Sequence, residues 1–194
     1  MQIKNSSDAF TGLEAAIVLI AFVVVAAVFS YVILGAGFYT TQKSQETVYK
    51  GVEQATTNVQ MIGQVYGETT TGGTEITTIK FSIGLAPGAP AIDLSGMNIV
   101  FSTPNSTQLT ILNQSLDYTT TPATLSSTTF VAQKNGAGPN VRALSGTQQL
   151  QIAFNVAGIP ASTVVNMEIR PGVGAALPFQ KNSPATIQRI NVLT

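Results

Sequence analysis

Residues 15–42 contain no charged side chain, and that stretch limits what the chain can become more than anything else in it. Within residues 15–39 about fourteen positions are Ile, Leu, Val or Phe. At a few tenths of a kcal/mol each on the insertion scale, they favour residence in a bilayer by roughly 4–8 kcal/mol. Wound into a helix at about 1.5 Å per residue, the stretch is about 38 Å long, enough to cross a bilayer with some tilt. A bilayer-spanning state is therefore expected at some stage of the protein's life.

What flanks the run is as informative. The first nine residues are polar, with one basic side chain, Lys4. A secretory signal places basic residues first, then the apolar run, then a cleavage site of small residues. Here a small residue, Ala9, stands before the apolar run, so cleavage there leaves the apolar segment on the mature chain. On the far side, Val48, Val52, Ala55, Val59, Ile62 and Tyr66 recur at spacings of four and three, the stripe of one helical face. This predicts a continuous helix to Tyr66, about 80 Å long if it starts near Thr11. Glu46 and Lys50 form a favourable i,i+4 pair on it. Gly35-Ala36-Gly37 is its weak point, since each Gly costs about 1 kcal/mol relative to Ala in a helix interior. That tripeptide marks either a kink or boundary, or a place where small residues admit a neighbouring helix.

Past Gly67 the pattern changes. The loop Thr69-Thr70-Thr71-Gly72-Gly73 gives way to alternation at period two: Ile79, Phe81, Ile83, Leu85; Met97, Ile99, Phe101; Leu109, Ile111; Leu150, Ile152, Phe154, Val156; Val165, Met167, Ile169; Ile190, Val192. Pro and Gly clusters at residues 87–90, 136–139 and 171–172 separate these runs. Seven or eight short strands over residues 67–194 predict an antiparallel, immunoglobulin-like sandwich or barrel. The whole is an α+β chain: a short leader at 1–9, a helix at 10–66 and a β-domain at 67–194.

Composition excludes most chemistry. The chain has no Cys and no His, so disulfides, thiol catalysis, a His-based triad, a His-ligated metal and a His pH switch are all ruled out. Its formal net charge is zero, which leaves no electrostatic footprint for nucleic acid. Asp93, Asp117 and Glu168 are scattered carboxylates without metal-loop spacing, and the Gly-rich segments lack the Lys-Ser/Thr of a phosphate loop. Neither a catalytic residue nor a cofactor or metal site is expected. Charged residues make up 9% of the chain, against roughly 25% in ordinary soluble domains. Ser, Thr, Asn and Gln supply the polarity instead, giving a surface with little self-repulsion, compatible with close packing of identical copies.

The segment Ala9-Phe10-Thr11-Gly12-Leu13-Glu14-Ala15-Ala16, followed by Ile17-Val18-Leu19-Ile20, resembles the prepilin-type signal and N-terminus of type IV pilins. Its continuation through Val23-Val24-Val25, Tyr31 and Gly35-Ala36-Gly37-Phe38 resembles the archaeal flagellins, or archaellins. Met167-Glu168-Ile169-Arg170-Pro171, Gly174-Ala175, Pro184 and Ile92-Asp93-Leu94-Ser95 are similar to archaellin segments too. The resemblance implies that a membrane prepilin-type signal peptidase cuts between Ala9 and Phe10, with Gly12 and Glu14 as processing and assembly residues. Precursors in that family usually carry Gly and basic residues before the cut, where this chain has Asp8-Ala9.

A filament follows from the same resemblance: an open helical homopolymer, or a co-polymer with other archaellins, serving swimming motility outside the cell. The precursor would sit in the cytoplasmic membrane, and an assembly ATPase and membrane platform would drive export. An adhesion pilin and a monomeric membrane-anchored surface domain are the competing readings.

Glu14 can be argued from its chemistry alone. A carboxylate on an apolar helix must neutralise or find a cation when buried, and no Lys or Arg lies between Glu14 and Lys43. The nearest positive charge would be the α-amino group freed at Phe10, with which the pilin glutamate pairs. Alternatively, Glu14 only complements the dipole of the helix N-terminus. Two sequons, Asn105-Ser106-Thr107 and Asn113-Gln114-Ser115, are possible N-glycosylation sites; a third at Asn5 lies in the leader.

Overall fold

The structure is a computed structural model; it describes the backbone from residue 6 and side chains from residue 12, apart from residues 71, 105–108, 120–123 and 137. The chain divides into two units, Met1–Lys50 and Gly51–Thr194. Helix α1 runs unbroken from Ser6 to Thr56, about 77 Å at 1.5 Å per residue. Gly35 and Gly37 lie inside it and are not its boundary. From Gly12 to Thr56 every side chain is exposed. By length and composition this helix is able to cross a membrane.

The helix stops ten residues before the position its apolar stripe predicts. The Thr57 N–H closes the last bond, to the Glu53 carbonyl at 2.9 Å, and residues Val59–Glu68 form strand β1 instead. Val59, Met61, Val65 and Gly67 of β1 face inward, while Gly63 between them is exposed. One of the four inward residues is Gly, and two outward residues, Ile62 and Tyr66, are large and apolar. Period two is thereby hidden, and a false spacing of three and four appears. A bulge deepens the disguise: Ile62 pairs with Ser82 and Tyr66 with Lys80, so four steps on β1 meet two on its neighbour. Gly63, at φ +79°, supplies the left-handed residue a bulge of this kind uses.

The remaining described strands are β2 (Ile76–Leu85), β3 (Ile92–Asp93), β4 (Asn98–Ser102), β5 (Thr110–Gln114), β6 (Thr129–Lys134), β7 (Ala143–Leu144), β8 (Gln149–Ile159), β9 (Val164–Arg170), β10 (Leu177–Asn182) and β11 (Ile190–Leu193). Eight of them join β1 in one nine-stranded sheet in the order β10-β9-β4-β5-β6-β8-β2-β1-β11, and β3 pairs with β7. The two ends of the large sheet meet: Asn182 and Thr194 exchange backbone hydrogen bonds of 2.7 and 3.1 Å. The sheet is thus a nearly closed barrel, the β-sandwich or barrel predicted after the helix. It is mixed and not purely antiparallel, because β5 and β6 run parallel through Asn113↔Thr129 and Gln114↔Phe130. Residues 115–128 between them are long enough for the return crossing a parallel pair needs.

The alternating runs on β2, β4, β8 and β9 fill the core. Ile79, Phe81, Ile83, Met97, Ile99, Leu150, Ile152, Phe154, Val165 and Ile169 are all buried. Phe81 meets Phe154 and Phe179 edge-on at 6.5 and 5.7 Å, and Phe154 meets Phe101 at 6.1 Å, the edge-to-face geometry aromatic quadrupoles favour. Two of the alternating runs face outward. Leu109 and Ile111 are exposed while Leu112 is buried; Ile190 and Val192 are exposed while Asn191 and Leu193 are buried. Strand β6 carries no alternation, and β10 alternates in burial but contains a proline. Phe130, Val131 and Ala132 are all buried, since Leu125 covers Val131 on the outer face. In β10, Pro178 reads against a strand, and β10 is at a sheet edge, where a missing N–H is tolerated.

Candidate assembly surface

Helix α1 carries on its surface what a folded chain normally hides. Leu19, Phe22, Val25, Val28, Phe29, Val32 and Leu34 are each more than half exposed. Removing a large apolar side chain from water contributes about 1.5–3 kcal/mol. The fourteen in residues 15–39 therefore represent on the order of 20–40 kcal/mol of unrealised burial, an upper estimate. A helix that is apolar all round needs lipid or other helices around it. Glu14 lies on this surface, in a shallow depression formed with Ala15, Val18, Leu19 and Phe22. Gly12 has nothing within reach of an added Cβ. Ala9 and Phe10 are helical in backbone, and their side chains are outside the described ones.

Polarity returns gradually along the helix. The Thr40 and Thr41 hydroxyls donate to the Ala36 and Gly37 carbonyls at 2.8 and 2.9 Å, so neither presents a free donor. Glu46 then accepts from Lys43 at 2.7 Å and from the predicted partner Lys50 at 2.8 Å; the two hydrogen bonds hold its carboxyl below the usual value.

On the barrel, the three carboxylates considered above are structural. Asp93 accepts from Ser95 N–H and hydroxyl at 2.9 and 2.7 Å and from Arg142 at 3.2 Å; chiefly through Ser95, its pKa is lowered. Asp117 accepts from Thr119 N–H at 3.0 Å in a local turn. Glu168 forms a two-pronged pair with Arg170 at 2.9 and 2.8 Å, which lowers its pKa. Among the described residues no three Asp or Glu side chains come together to hold a metal.

Asn113 is exposed on the outer face of β5, paired with Asn98 on one side and Thr129 on the other. Asn105 lies outside the described residues. The resemblance-bearing segments near the C-terminus have packing roles. Met167 and Ile169 enter the core, and at Gly174, φ +108°, a Cβ would strike the Thr57 carbonyl. Sequence reasoning missed a second feature of the barrel, its apolar outer walls. Their signal was present, but alternation alone does not say which of two faces is wet.

An exposed apolar helix followed in the chain by a small barrel defines a subunit whose stickiest surface is left for neighbours or lipid. The chain belongs to the archaeal-type flagellin family, whose model matches residues 9–181. It is 35% identical to probable flagellin 1 of Archaeoglobus fulgidus, an alignment covering all of this chain and 98% of that one. A 32-residue chain, the 24 kDa flagellin of Methanospirillum hungatei, is 88% identical over its whole length, 16% of the length of this chain. Among solved structures, the archaeal flagellum of Methanospirillum hungatei strain JF1 superposes with a TM-score of 0.71 at 32% identity, covering 94% of this chain and 99% of that one. The protein is accordingly a structural subunit of the archaeal flagellum, from a family of filament proteins and not of enzymes.

Proposed function

We propose that this flagellin is made as a membrane-inserted precursor, cut between Ala9 and Phe10 by a prepilin-type signal peptidase, and polymerised through α1 into an extracellular filament used for swimming. The observation that carries this reading is the uncharged apolar surface of α1 over residues 15–39, all of it exposed. In the precursor, lipid covers that surface; after the cut, copies of the same helix replace the lipid. Helices then pack in the filament core, held by apolar burial and close contact, with the barrels outward. Gly35 and Gly37, which have open space around them, are where a neighbouring helix would approach most closely.

In this reading Glu14 pairs with the new α-amino group of Phe10, in the same chain or the next. Gly12 keeps the first turn narrow for the peptidase. Since the chain has no phosphate-binding loop, an assembly ATPase and membrane platform must supply the work. Asn105 and Asn113 are proposed N-glycosylation sites, the latter supported by its exposure on β5.

Mass spectrometry of subunits from purified filaments tests the reading. A mature N-terminus at Phe10 is expected, with added mass on the peptides holding Asn105 and Asn113. A chain that keeps residues 1–9 in the filament would refute the processing step. Unmodified Asn105 and Asn113 would refute glycosylation alone.

A further inference from the structure

The barrel has two apolar outer walls, and the strand order places them on opposite sides. In the nearly closed ring, β4 and β1 are separated by β5, β6, β8 and β2 one way round and by β9, β10 and β11 the other. Around β4 the outward residues fall in rows fixed by register. Pro178, Glu168, Val100 and Ile111 form one row. Leu109 lies two residues before Ile111, about 7 Å along the strand. Val100 forms the floor of a groove of about 450 Å³, with Leu109, Pro178 and the Glu168–Arg170 pair around it. Leu109 and Ile111 are 57% and 54% exposed.

Around β1 the opposite wall presents exposed apolar side chains, which form the ridge of the contact considered next. Val192 pairs with Tyr66 and Ile190 with Glu68, and the inward neighbours Asn191 and Leu193 are buried. Ile190 is 59% exposed, and Tyr66 and Val192 are each more than a third exposed.

We propose that the β1–β11 ridge of one copy packs into the groove that Leu109 and strands β4, β9 and β10 form on the next, a second contact between subunits in addition to the helix. The proposal rests on the filament reading, since it takes its occupant, another copy of this chain, from there. Three observations favour that occupant. An open polymer requires two different surfaces that fit each other, not one that fits itself, and a groove and a ridge on opposite walls meet that requirement. Each wall also neutralises its own charges: Glu168 with Arg170 at 2.8 Å on one, Glu68 with Lys80 at 2.7 Å on the other. Two such walls approach without repulsion. Finally, β10 and β11 bond to each other at Asn182 and Thr194, which leaves side-chain packing, not strand addition, as the means of contact there.

Asn113 lies two residues beyond Ile111 on the same outer face, about 7 Å away. A glycan on it therefore stands at the rim of the groove and must project away from the contact.

The chain's lack of cysteine makes the test clean. I111C, V192C, L109C and I190C are made singly, and in the pairs I111C/V192C and L109C/I190C, in the full chain exported by its own cell. Filaments are oxidised mildly and run on a denaturing gel without reductant. The pairs are expected to give a ladder of multimers, and each single variant only monomer. In intact filaments each single cysteine should react with maleimide at least tenfold more slowly than in dissociated subunits.

Dimers from a single variant would show a wall meeting its own kind and overturn the proposal. Labelling as fast in filaments as in free subunits would overturn it too. Loss of filaments in I111C or V192C, with the barrel melting normally, supports it. If the unaltered chain forms no filaments, the filament reading itself fails, and that outcome is seen by electron microscopy before any cysteine is read.

Discussion

Replacing Val25 and Phe29 by Asp should separate the two roles of α1 from the folding of the barrel. Both residues lie near the middle of the uncharged stretch, and they are 68% and 65% exposed. On the insertion scale an Asp at a helix centre costs about 2.5–3.5 kcal/mol, and each lost Val or Phe forfeits about another 0.3–0.6 kcal/mol. Two substitutions together therefore cost about 6–8 kcal/mol, against the roughly 4–8 kcal/mol by which the apolar run favours the bilayer. Either single change leaves a residual preference; the pair removes it. In the assembled filament the same two carboxylates would be placed among apolar helices with no cation nearby, since Lys43 is the first Lys or Arg after them.

The assay is carbonate extraction of cell membranes, with filament counting by electron microscopy. The single variants should remain largely membrane-bound, with fewer or shorter filaments. V25D/F29D should move to the soluble or aggregated fraction and yield no filaments. Its barrel should still melt cooperatively, because residues 25 and 29 are outside the unit Gly51–Thr194. If the double variant stays in the membrane and builds filaments of normal length, apolar burial of α1 is not what holds precursor or polymer, and the reasoning fails.

Three further outcomes are expected. Glu14→Gln should impair filament formation while the barrel stays folded; filament yield equal to that of the unaltered chain would show that the carboxylate has no part in assembly. Gly174→Ala should lower barrel stability by about 1–3 kcal/mol, several degrees in melting temperature, because φ is +108° there and the Cβ meets the Thr57 carbonyl; an unchanged melting temperature would mean that close approach is not needed. The carboxyls of Glu46, Asp93 and Glu168 all have lowered folded pKa values. The stability they contribute is therefore present above the ordinary carboxylate pKa of about 4 and is lost as pH falls through the lower folded values. With no His in the chain, the melting temperature should be flat from about pH 5.5 to about 7 and fall below about pH 4; a steep change between pH 5.5 and 7 would contradict this.

How much of this was legible in the sequence depended on whether one physical signal dominated. The apolar run was unmistakable because nothing else produces residues 15–42 without a charge. The core strands β2, β4, β8 and β9 were legible because each has a dry face of large apolar residues at period two, as in Ile79-Lys80-Phe81-Ser82-Ile83. The first strand was not, because Gly67 takes an inward position, Ile62 and Tyr66 face out, and the bulge at Gly63 interrupts the alternation, so the residue spacing copies a helix. Strand β6 was hidden by Leu125, which dries its outer face, and β10 by Pro178. The parallel pairing of β5 with β6 has no local signature at all; it follows only from where residues 115–128 return the chain.

The outward-facing runs carry a different lesson. Leu109, Ile111, Ile190 and Val192 mark strands by their period of two, and apolar residues at that period normally lie on the buried face. That inference assumes a chain whose only neighbour is water. For a subunit that meets copies of itself, the outward face has reason to be apolar as well, as the ridge and groove proposed here would require. The sequence pattern then reports the sum of two interfaces, one made in folding and one in assembly. Buried Leu112 and Leu193 belong to the first; exposed Ile111 and Val192, their immediate neighbours, are the residues to examine for the second. The polar residues Gln114 and Asn191 support the distinction from the inside. Both are buried and bonded: Gln114 donates to the Val141 carbonyl at 2.7 Å, and Asn191 accepts from Gln188 N–H at 2.7 Å. A strand whose inward face contains a satisfied amide while its outward face contains Ile or Val has not been assigned to the wrong face by the fold. Its apolar outside is the surface that the proposed contact between copies would cover.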